Sequence, residues 1–476
     1  MVIKNNALLC DYYEFTMSNG YCLLGLEEAV VYFDMFFRDI PDGGGYAVAA
    51  GLESLINYIE NLSFSGDEID YLRSKGIFSE KWLAKLKNFK FTGDIYAMPE
   101  GSVMFPGEPI VTVRAPAYQA QIIETFLLIC INHQSLIATK ASRIVRASEG
   151  RAVLEFGARR AQGTEAAVLG ARAAYIAGCI GSSNALADYL YGIPALGTMA
   201  HAWIQIFDDE YTAFRKYCEL YPNKTSLLVD TYNVLKSGVP NAIKVFKEFG
   251  IENGSIRIDS GDIAYLSQKA REMLDEAGLP GCKIVASNSL DEQIIREVIR
   301  GGAAIDSFGV GERLITAHSD PVFGGVFKLV AIEHSGKIIP KIKVSENVQK
   351  ITTPHFKKVY RLYERDTHKA IADYVCVHDE ELDTSKPLEI FDPDFTWKRK
   401  TLTDFTARKM LEPIFKDGKL VYKKPLIEDI KKYCVSEMES LWDEVKRFEN
   451  PHNYYVDLSQ KLWDIKHDMI KKNGKL

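Results

Sequence analysis

Hydrophobic and polar positions change rhythm three times along the chain. Over residues 1–120, helical and strand spacings are mixed. Ile110, Val111 and Val113 lie between Pro106-Gly107 and Pro116 and read as a strand, while Pro41-Asp42-Gly43-Gly44-Gly45 reads as a chain reversal. Over 121–335, short apolar runs alternate with amphipathic helical patterns. Leu227-Leu228-Val229 ends in Asp230, and Ser255-Ile256-Arg257-Ile258 ends in Asp259-Ser260-Gly261. Lys283 to Ala286 ends in Ser287-Asn288, and Ile305 to Phe308 ends in Gly309-Val310-Gly311. Between them, Ile263, Leu266, Ala270 and Met273 recur at helical spacing, as do Ile294, Ile295, Val298 and Ile299. Asp262 and Asp291 stand where N-caps or first-turn acids belong. Over 336–476 the chain is lysine-rich and aromatic, with a turn at Phe391-Asp392-Pro393-Asp394 and a helical pattern from Ile427 to Val445. Asn450-Pro451-His452 reads as a turn before a terminal helix.

Repeated strand–helix units predict an α/β fold with a parallel sheet and crossover helices. In such sheets, closed into barrels or doubly wound, the carboxyl ends of the strands host the active site. Polar residues also simply close strands, and one aspartate would fit that bland reading. Four successive ends carrying Asp, Asp-Ser-Gly-Asp, Ser-Asn and Gly-x-Gly fit a site better.

Composition narrows the partners. The 476 residues are 47% hydrophobic and 26% charged, an ordinary mix for a globular chain of about three domains. A net charge of −6 argues against nucleic acid or an anionic membrane as partner, so an anionic substrate must be met by local cations or helix N-termini. The start, Met1 to Asn6, is polar and is followed by Asp11 and Glu14, without a secretory-signal pattern. The most apolar run, Phe126 to Ile131, is far short of the ~20 residues that span a bilayer. Eight cysteines without a CxxC pair read as reduced thiols, and Cys376 and His378 lack the second pair that a structural zinc needs. A cytoplasmic location is expected.

Four segments offer chemistry. Period-two alternation puts Arg257 and Asp259 on one strand face. That pair reads either as a structural ion pair or as a guanidinium free to grip a planar carboxylate through two parallel hydrogen bonds. Ser260-Gly261-Asp262 then opens a helix whose N–H groups suit phosphate. Gly181-Ser182-Ser183-Asn184 and Gly197-Thr198-Met199-Ala200-His201 bring small hydroxyls near a histidine, without a G-x-S-x-G elbow for a hydrolase. Glu155 precedes Arg159-Arg160; one arginine is expected to pair with Glu155 and the other to serve an anion. Gly309 and Gly311 allow backbone N–H groups to approach an anion.

With these motifs in this order the sequence resembles the nicotinate phosphoribosyltransferase family, in its longer bacterial form. The resemblance runs through Leu8-Leu9-Cys10-Asp11-Tyr12-Tyr13 with Thr16-Met17, Pro99-Glu100-Gly101, Arg159 to Gly163, Gly197 to His201, Asp230-Thr231-Tyr232, Arg257 to Asp262, Ser287-Asn288 and Gly309-Val310-Gly311. It implies a parallel β/α barrel-like core (the type II phosphoribosyltransferase fold) flanked by an α+β domain built from both chain ends, and a homodimer with its site at the interface. The implied reaction joins nicotinate to phosphoribosyl pyrophosphate, giving nicotinate mononucleotide and pyrophosphate with ATP hydrolysis, in NAD salvage. His201 maps to the histidine that ATP phosphorylates, and Tyr13, Thr198 and Arg257 map to the nicotinate contacts. Arg159, Arg160, Ser287, Asn288, Gly309 and Gly311 are expected to contact substrate, and Asp230 and Asp259 to take part in catalysis near Mg²⁺. One departure stands out. Some family members carry a small hydroxyl residue after the Gly-x-Gly, whereas this chain has Glu312, so either its side chain turns away or Arg313 compensates.

Alternatives are separated by single features. A nicotinamide phosphoribosyltransferase carries an aspartate in the segment matching Gly181 to Asn184. Ser182 and Ser183 here avoid setting carboxylate against carboxylate. Quinolinate would need more cations for two carboxylates. A barrel lyase using a Schiff-base lysine would rely on Lys140 or Lys283. A barrel protein that only binds would be favoured by loss of His201 or Arg257, and both are present.

Overall fold

The strand–helix rhythm of the middle region folds as six parallel strands. In sheet order they are Gly181–Ser182, Ala152–Glu155, Ser307–Val310, Lys283–Ser287, Ser255–Ile258 and Ser226–Leu228. This computed structural model describes residues 6–222 and 225–473; residues 1–5 of the chain's start lie outside them. The six strands belong to a unit formed by Ile137–Pro321, and a second unit is formed by Met1–Leu136 with Val322–Leu476. The expected α/β class, with a barrel-like parallel sheet and a flanking domain from both chain ends, is the architecture found.

Alternation explains how the barrel unit divides its residues. Ile256 and Ile258 are fully buried and pack with Leu227, Leu228 and Ile284 against Val245, Phe246, Ala270 and Leu274 of the crossover helices Val239–Phe249 and Ile263–Glu276. Each fully buried side chain of this size contributes about 1.5–3 kcal/mol relative to exposure. Arg257, between the two isoleucines, therefore points to the opposite, inner face of the sheet. The helices start as expected: the Asp262 side chain accepts from the Tyr265 N–H, and Asp291 accepts from Gln293 and Ile294. The two lysines considered for a Schiff base are both engaged. Buried Lys140 donates to Glu292 at 2.9 Å and to Ser319 at 2.7 Å, and Lys283 pairs with Asp306 at 3.0 Å.

In the second unit both chain ends contribute to one antiparallel sheet. Its order is Lys337–Pro340, Val326–His334, Val30–Phe36, Val111–Pro116, Asp94–Ala97, Glu412–Lys416 and Lys419–Leu420. A four-stranded sheet follows: Phe405–Lys409, Lys357–Glu364, Ala370–Val377 and Val456–Leu458. The helix expected from Ile427 to Val445 ends at Ser440, because Leu441 turns extended. The turn at Asn450 leads into the strand Val456–Leu458 before the terminal helix Gln460–Asn473 begins. All eight cysteines are free, and no helix among the described residues is long and apolar enough to cross a membrane.

Candidate active site

The carboxyl ends of the barrel strands bring six of the expected residues into one hydrogen-bonded cluster. Arg257 donates through one terminal nitrogen to Thr198 Oγ1 and, at 3.3 Å, to the Met199 carbonyl. Its other terminal nitrogen lies 3.7 Å from Asp259 Oδ2. His201, the first residue of the helix His201–Gln205, places Nε2 3.9 Å from that same oxygen, with Nδ1 3.1 Å from Thr231 Oγ1. One carboxylate oxygen thus lies within reach of both the guanidinium and the imidazole. The Ser287 hydroxyl donates to Asp259 Oδ1. Asp230 Oδ2 accepts the Ser260 hydroxyl at 2.6 Å and the Asp259 backbone N–H at 3.2 Å.

Two buried atoms in this cluster have no hydrogen-bond partner: Arg257 Nε and Asp230 Oδ1. A buried polar atom without a partner costs about 1–3 kcal/mol, so both invite a ligand. Burial lowers the Arg257 pKa below the usual guanidinium value. Asp259 and Asp230 oppose that shift, and Arg159 adds to it. An anion bound beside Arg257 would act in the same direction as Asp259 and Asp230 and oppose the lowering by burial.

The neighbouring strand ends correct several expectations. Glu155 pairs with neither Arg159 nor Arg160. It accepts the Gly157 N–H and, at 2.6 Å, the Ser182 hydroxyl, tying the turn before the arginines to the serine loop. Burial raises the Glu155 pKa, while these two donors lower it. Arg159 and Arg160 are both exposed, and Arg160 lies 3.9 Å from Glu312. Arg313 does not answer Glu312; it is engaged by Asp291 at 2.5 Å. A Cβ on Gly309 would stand 2.5 Å from the Phe156 ring, so packing alone demands glycine there. A Cβ on Gly311 would stand 3.3 Å from the Phe156 carbonyl oxygen, and the Gly311 carbonyl accepts the Leu314 and Ile315 N–H groups at the start of the helix Glu312–Ile315. The helix after Ser260-Gly261 has one first-turn N–H already taken by Asp262, whose own charge opposes a phosphate there.

Sequence reasoning gave no side-chain role to Thr231, Ser260 or Ser289. Thr231 and Ser260 each follow a strand-end aspartate directly, and that adjacency was the available signal. Asn288 and Ser289 hold positive φ values of 98° and 46°, a conformation non-glycine residues rarely adopt away from functional turns. Tyr13 belongs to the other unit, on the helix Tyr12–Leu24. It is exposed there, and burial followed by the Glu124 carboxylate raises its phenol pKa.

Known proteins share this chain's length and fold. Its residues match three family profiles: the nicotinate phosphoribosyltransferase N-terminal domain over 8–132, the nicotinate phosphoribosyltransferase family over 152–363 and the C-terminal domain over 356–466. It is 46% identical over 466 residues to the nicotinate phosphoribosyltransferase of Bacillus subtilis, covering 98% of this chain and 95% of that protein. The crystal structure of human nicotinic acid phosphoribosyltransferase superposes with a TM-score of 0.85 at 26% identity, covering 97% and 99% of the two chains. A Pyrococcus furiosus nicotinate-nucleotide pyrophosphorylase, 24% identical, shares the fold with a TM-score of 0.72 over 92% and 98%.

Proposed function

The chain belongs to the nicotinate phosphoribosyltransferase family, and from that premise we propose how its strand-end cluster performs the family's reaction. The enzyme joins nicotinate to the ribose of phosphoribosyl pyrophosphate, in NAD biosynthesis. The observation that carries the site reading is the buried, unpartnered Nε of Arg257 beside the Thr198 hydroxyl. A nicotinate carboxylate facing Arg257 would give Nε and a terminal nitrogen two parallel charge-assisted bonds. The ring nitrogen then attacks the ribose carbon, the new C–N bond replacing the C–O bond to pyrophosphate, which leaves. Arg159, Arg160 and the Gly311 N–H are the donors proposed for the departing phosphates, with Ser287, Asn288 and Gly309 shaping the same rim.

His201 is the proposed phosphoryl acceptor. Thr231 engages Nδ1 and fixes the ring, leaving Nε2 as the atom open to attack the terminal phosphorus of ATP, with ADP leaving. Asp259 Oδ2, 3.9 Å from Nε2, is beyond hydrogen-bond distance and leaves that nitrogen free. Among the described residues no group of three or more His, Cys, Asp or Glu is arranged to hold a metal. The unpartnered Asp230 Oδ1, with Asp259 nearby, suits an ion that a diphosphate substrate brings with it. Such an ion, Mg²⁺, would neutralise leaving-group charge when bound. A homodimer is also proposed. Leu186, Tyr189 and Leu190 of the helix Ala185–Tyr191 are 50%, 85% and 53% exposed, a run of apolar surface suited to a partner subunit. Eight free cysteines support a cytoplasmic location.

The test is a product assay with nicotinate, nicotinamide and quinolinate in parallel, each with and without ATP, on wild type and His201→Ala. Nicotinate alone should give abundant mononucleotide, stimulated by ATP in the wild type only. Labelled ATP should leave an acid-labile, base-stable label on wild type and none on His201→Ala. Label persisting in the variant rejects the histidine assignment, and preference for nicotinamide rejects the carboxylate reading of Arg257.

A further inference from the structure

The unit formed by the chain ends contains a cavity of about 600 Å³, within the range of small-molecule sites. It shares no residue with the strand-end cluster. In the middle of the strand Val456–Leu458, Asp457 lines this cavity, while its neighbours Val456 and Leu458 face a different one, as strand alternation requires. Asp457 is 3% exposed. Among the described residues its carboxylate makes no hydrogen bond and no ion pair, while its backbone pairs with the strand Ala370–Val377. The other lining carboxylates are engaged. Asp392 accepts the Asp394 and Phe395 N–H groups at 3.0 and 2.9 Å and lies 3.5 Å from Lys398. Glu364 accepts the Thr367 hydroxyl at 2.8 Å, and Glu444 lies 3.9 Å from Arg447. Burial and the charge of Asp392 push the Asp457 pKa up to about 6, the mark of a carboxylate without a compensating donor.

The rest of the lining says what donor is missing. Ile371, Ile390 and Val445 make an apolar wall, and Trp442 and Tyr455 bring partly exposed aromatic faces. Of the lining cations, Lys398 is held by Asp392, and Arg399 by Glu389 and the Phe391 ring. Lys400, exposed, has no carboxylate partner among the described residues. A deep free acceptor, aromatic walls and a free cation toward solvent fit a flat heteroaromatic base with an anionic tail.

We propose that this cavity binds a guanine mononucleotide, with the base edge on Asp457 and the phosphate toward Lys400. An ionised carboxylate only accepts hydrogen bonds. Guanine presents two neighbouring donors, N1–H and the 2-amino group, which match two carboxylate oxygens as a guanidinium fork does. Adenine presents one donor beside a ring-nitrogen acceptor, and that lone pair would face the carboxylate. None of its lining residues belongs to the strand-end cluster, so the inference does not depend on the catalytic assignments.

Calorimetric titration of the full chain with GMP, AMP and XMP tests it. Wild type should bind one GMP per chain and AMP at least about tenfold more weakly, as expected for a lost charge-assisted bond. D457N should weaken GMP about ten- to a hundredfold and gain XMP binding, because the new amide N–H pairs with the xanthine 2-carbonyl. That gain separates a base-edge contact from unfolding, and unchanged nicotinate turnover by D457N confirms the fold. Absence of GMP binding to wild type, GMP and AMP binding that is equal and indifferent to D457N, or loss of GMP without gain of XMP would each overturn the proposal.

Discussion

Arg361 and Arg257 are both strand-borne guanidiniums withdrawn from water, yet their hydrogen bonds are distributed in opposite ways. Arg361, on the strand Lys357–Glu364, is fully buried and saturated. It donates to Asp373 at 2.8 and 2.6 Å, to Glu437 at 3.0 Å and to the Val103 carbonyl at 2.9 Å, with its carbon 5.2 Å from the Phe105 ring centre. Arg257 reaches a hydroxyl and a carbonyl, stands 3.7 Å from a carboxylate, and leaves Nε buried without a partner. The difference teaches how to tell a structural charge from a recognition charge. Closed valences hold elements together, and open ones wait for a ligand.

The strongest way to break the comparison is to remove the saturated arginine. Arg361→Met leaves Asp373 buried without its cation and Glu437 with Arg408 alone, and breaking a buried ion pair from one side costs about 3–5 kcal/mol. Urea unfolding should show a loss of that size, while the nicotinate KM of the folded fraction stays at the wild-type value. An Arg361→Met protein as stable as wild type, or one with a raised nicotinate KM, would erase the distinction between the two arginines.

Arg257→Ala should do the converse. Losing a charge-assisted contact to the nicotinate carboxylate costs about 1.5–3 kcal/mol, so KM for nicotinate rises roughly tenfold to over a hundredfold. Unfolding stability should hold or improve, because a desolvated guanidinium with an unsatisfied nitrogen is removed. An unchanged KM would mean that Arg257 is an incompletely bonded structural residue, and the open valence would lose its meaning.

The contrast also explains which parts of the molecule were legible in the sequence. The barrel strands were readable because Ile256 and Ile258, or Leu227 and Leu228, bury apolar faces between clear turns, and Arg257 and Asp259 follow from alternation alone. The second unit was harder to read. Its strands Lys357–Glu364 and Ala370–Val377 bury Lys357, Arg361 and Asp373, and internal ion pairs break the hydrophobic pattern that marks a strand. Pairings failed where backbone competed with side chains. Glu155 was expected to meet an arginine a few residues away, yet the turn at Gly157 delivers a backbone N–H to it first. The link from Thr231 to His201 joins segments 30 residues apart, and no local spacing encodes it.

The smallest test sharpens the boundary between the two kinds of charge, because Asp262 stands on it. Three residues after the strand-end Asp259, it caps the helix Ile263–Glu276 by accepting the Tyr265 N–H at 3.1 Å, a closed valence at the edge of an open cluster. Asp262→Ala removes a cap, which costs about 0.5–2 kcal/mol of stability, typically ~1. It also removes an anion from a helix N-terminus, so binding of a phosphate-bearing substrate nearby should not weaken. Measured together, unfolding should shift by that amount while KM for phosphoribosyl pyrophosphate stays at or below its wild-type value. A rise of about tenfold in that KM would mean that the Asp262 carboxylate touches substrate or its counter-ion. The rule that a satisfied charge is a structural one would then fail at the site where it is most needed.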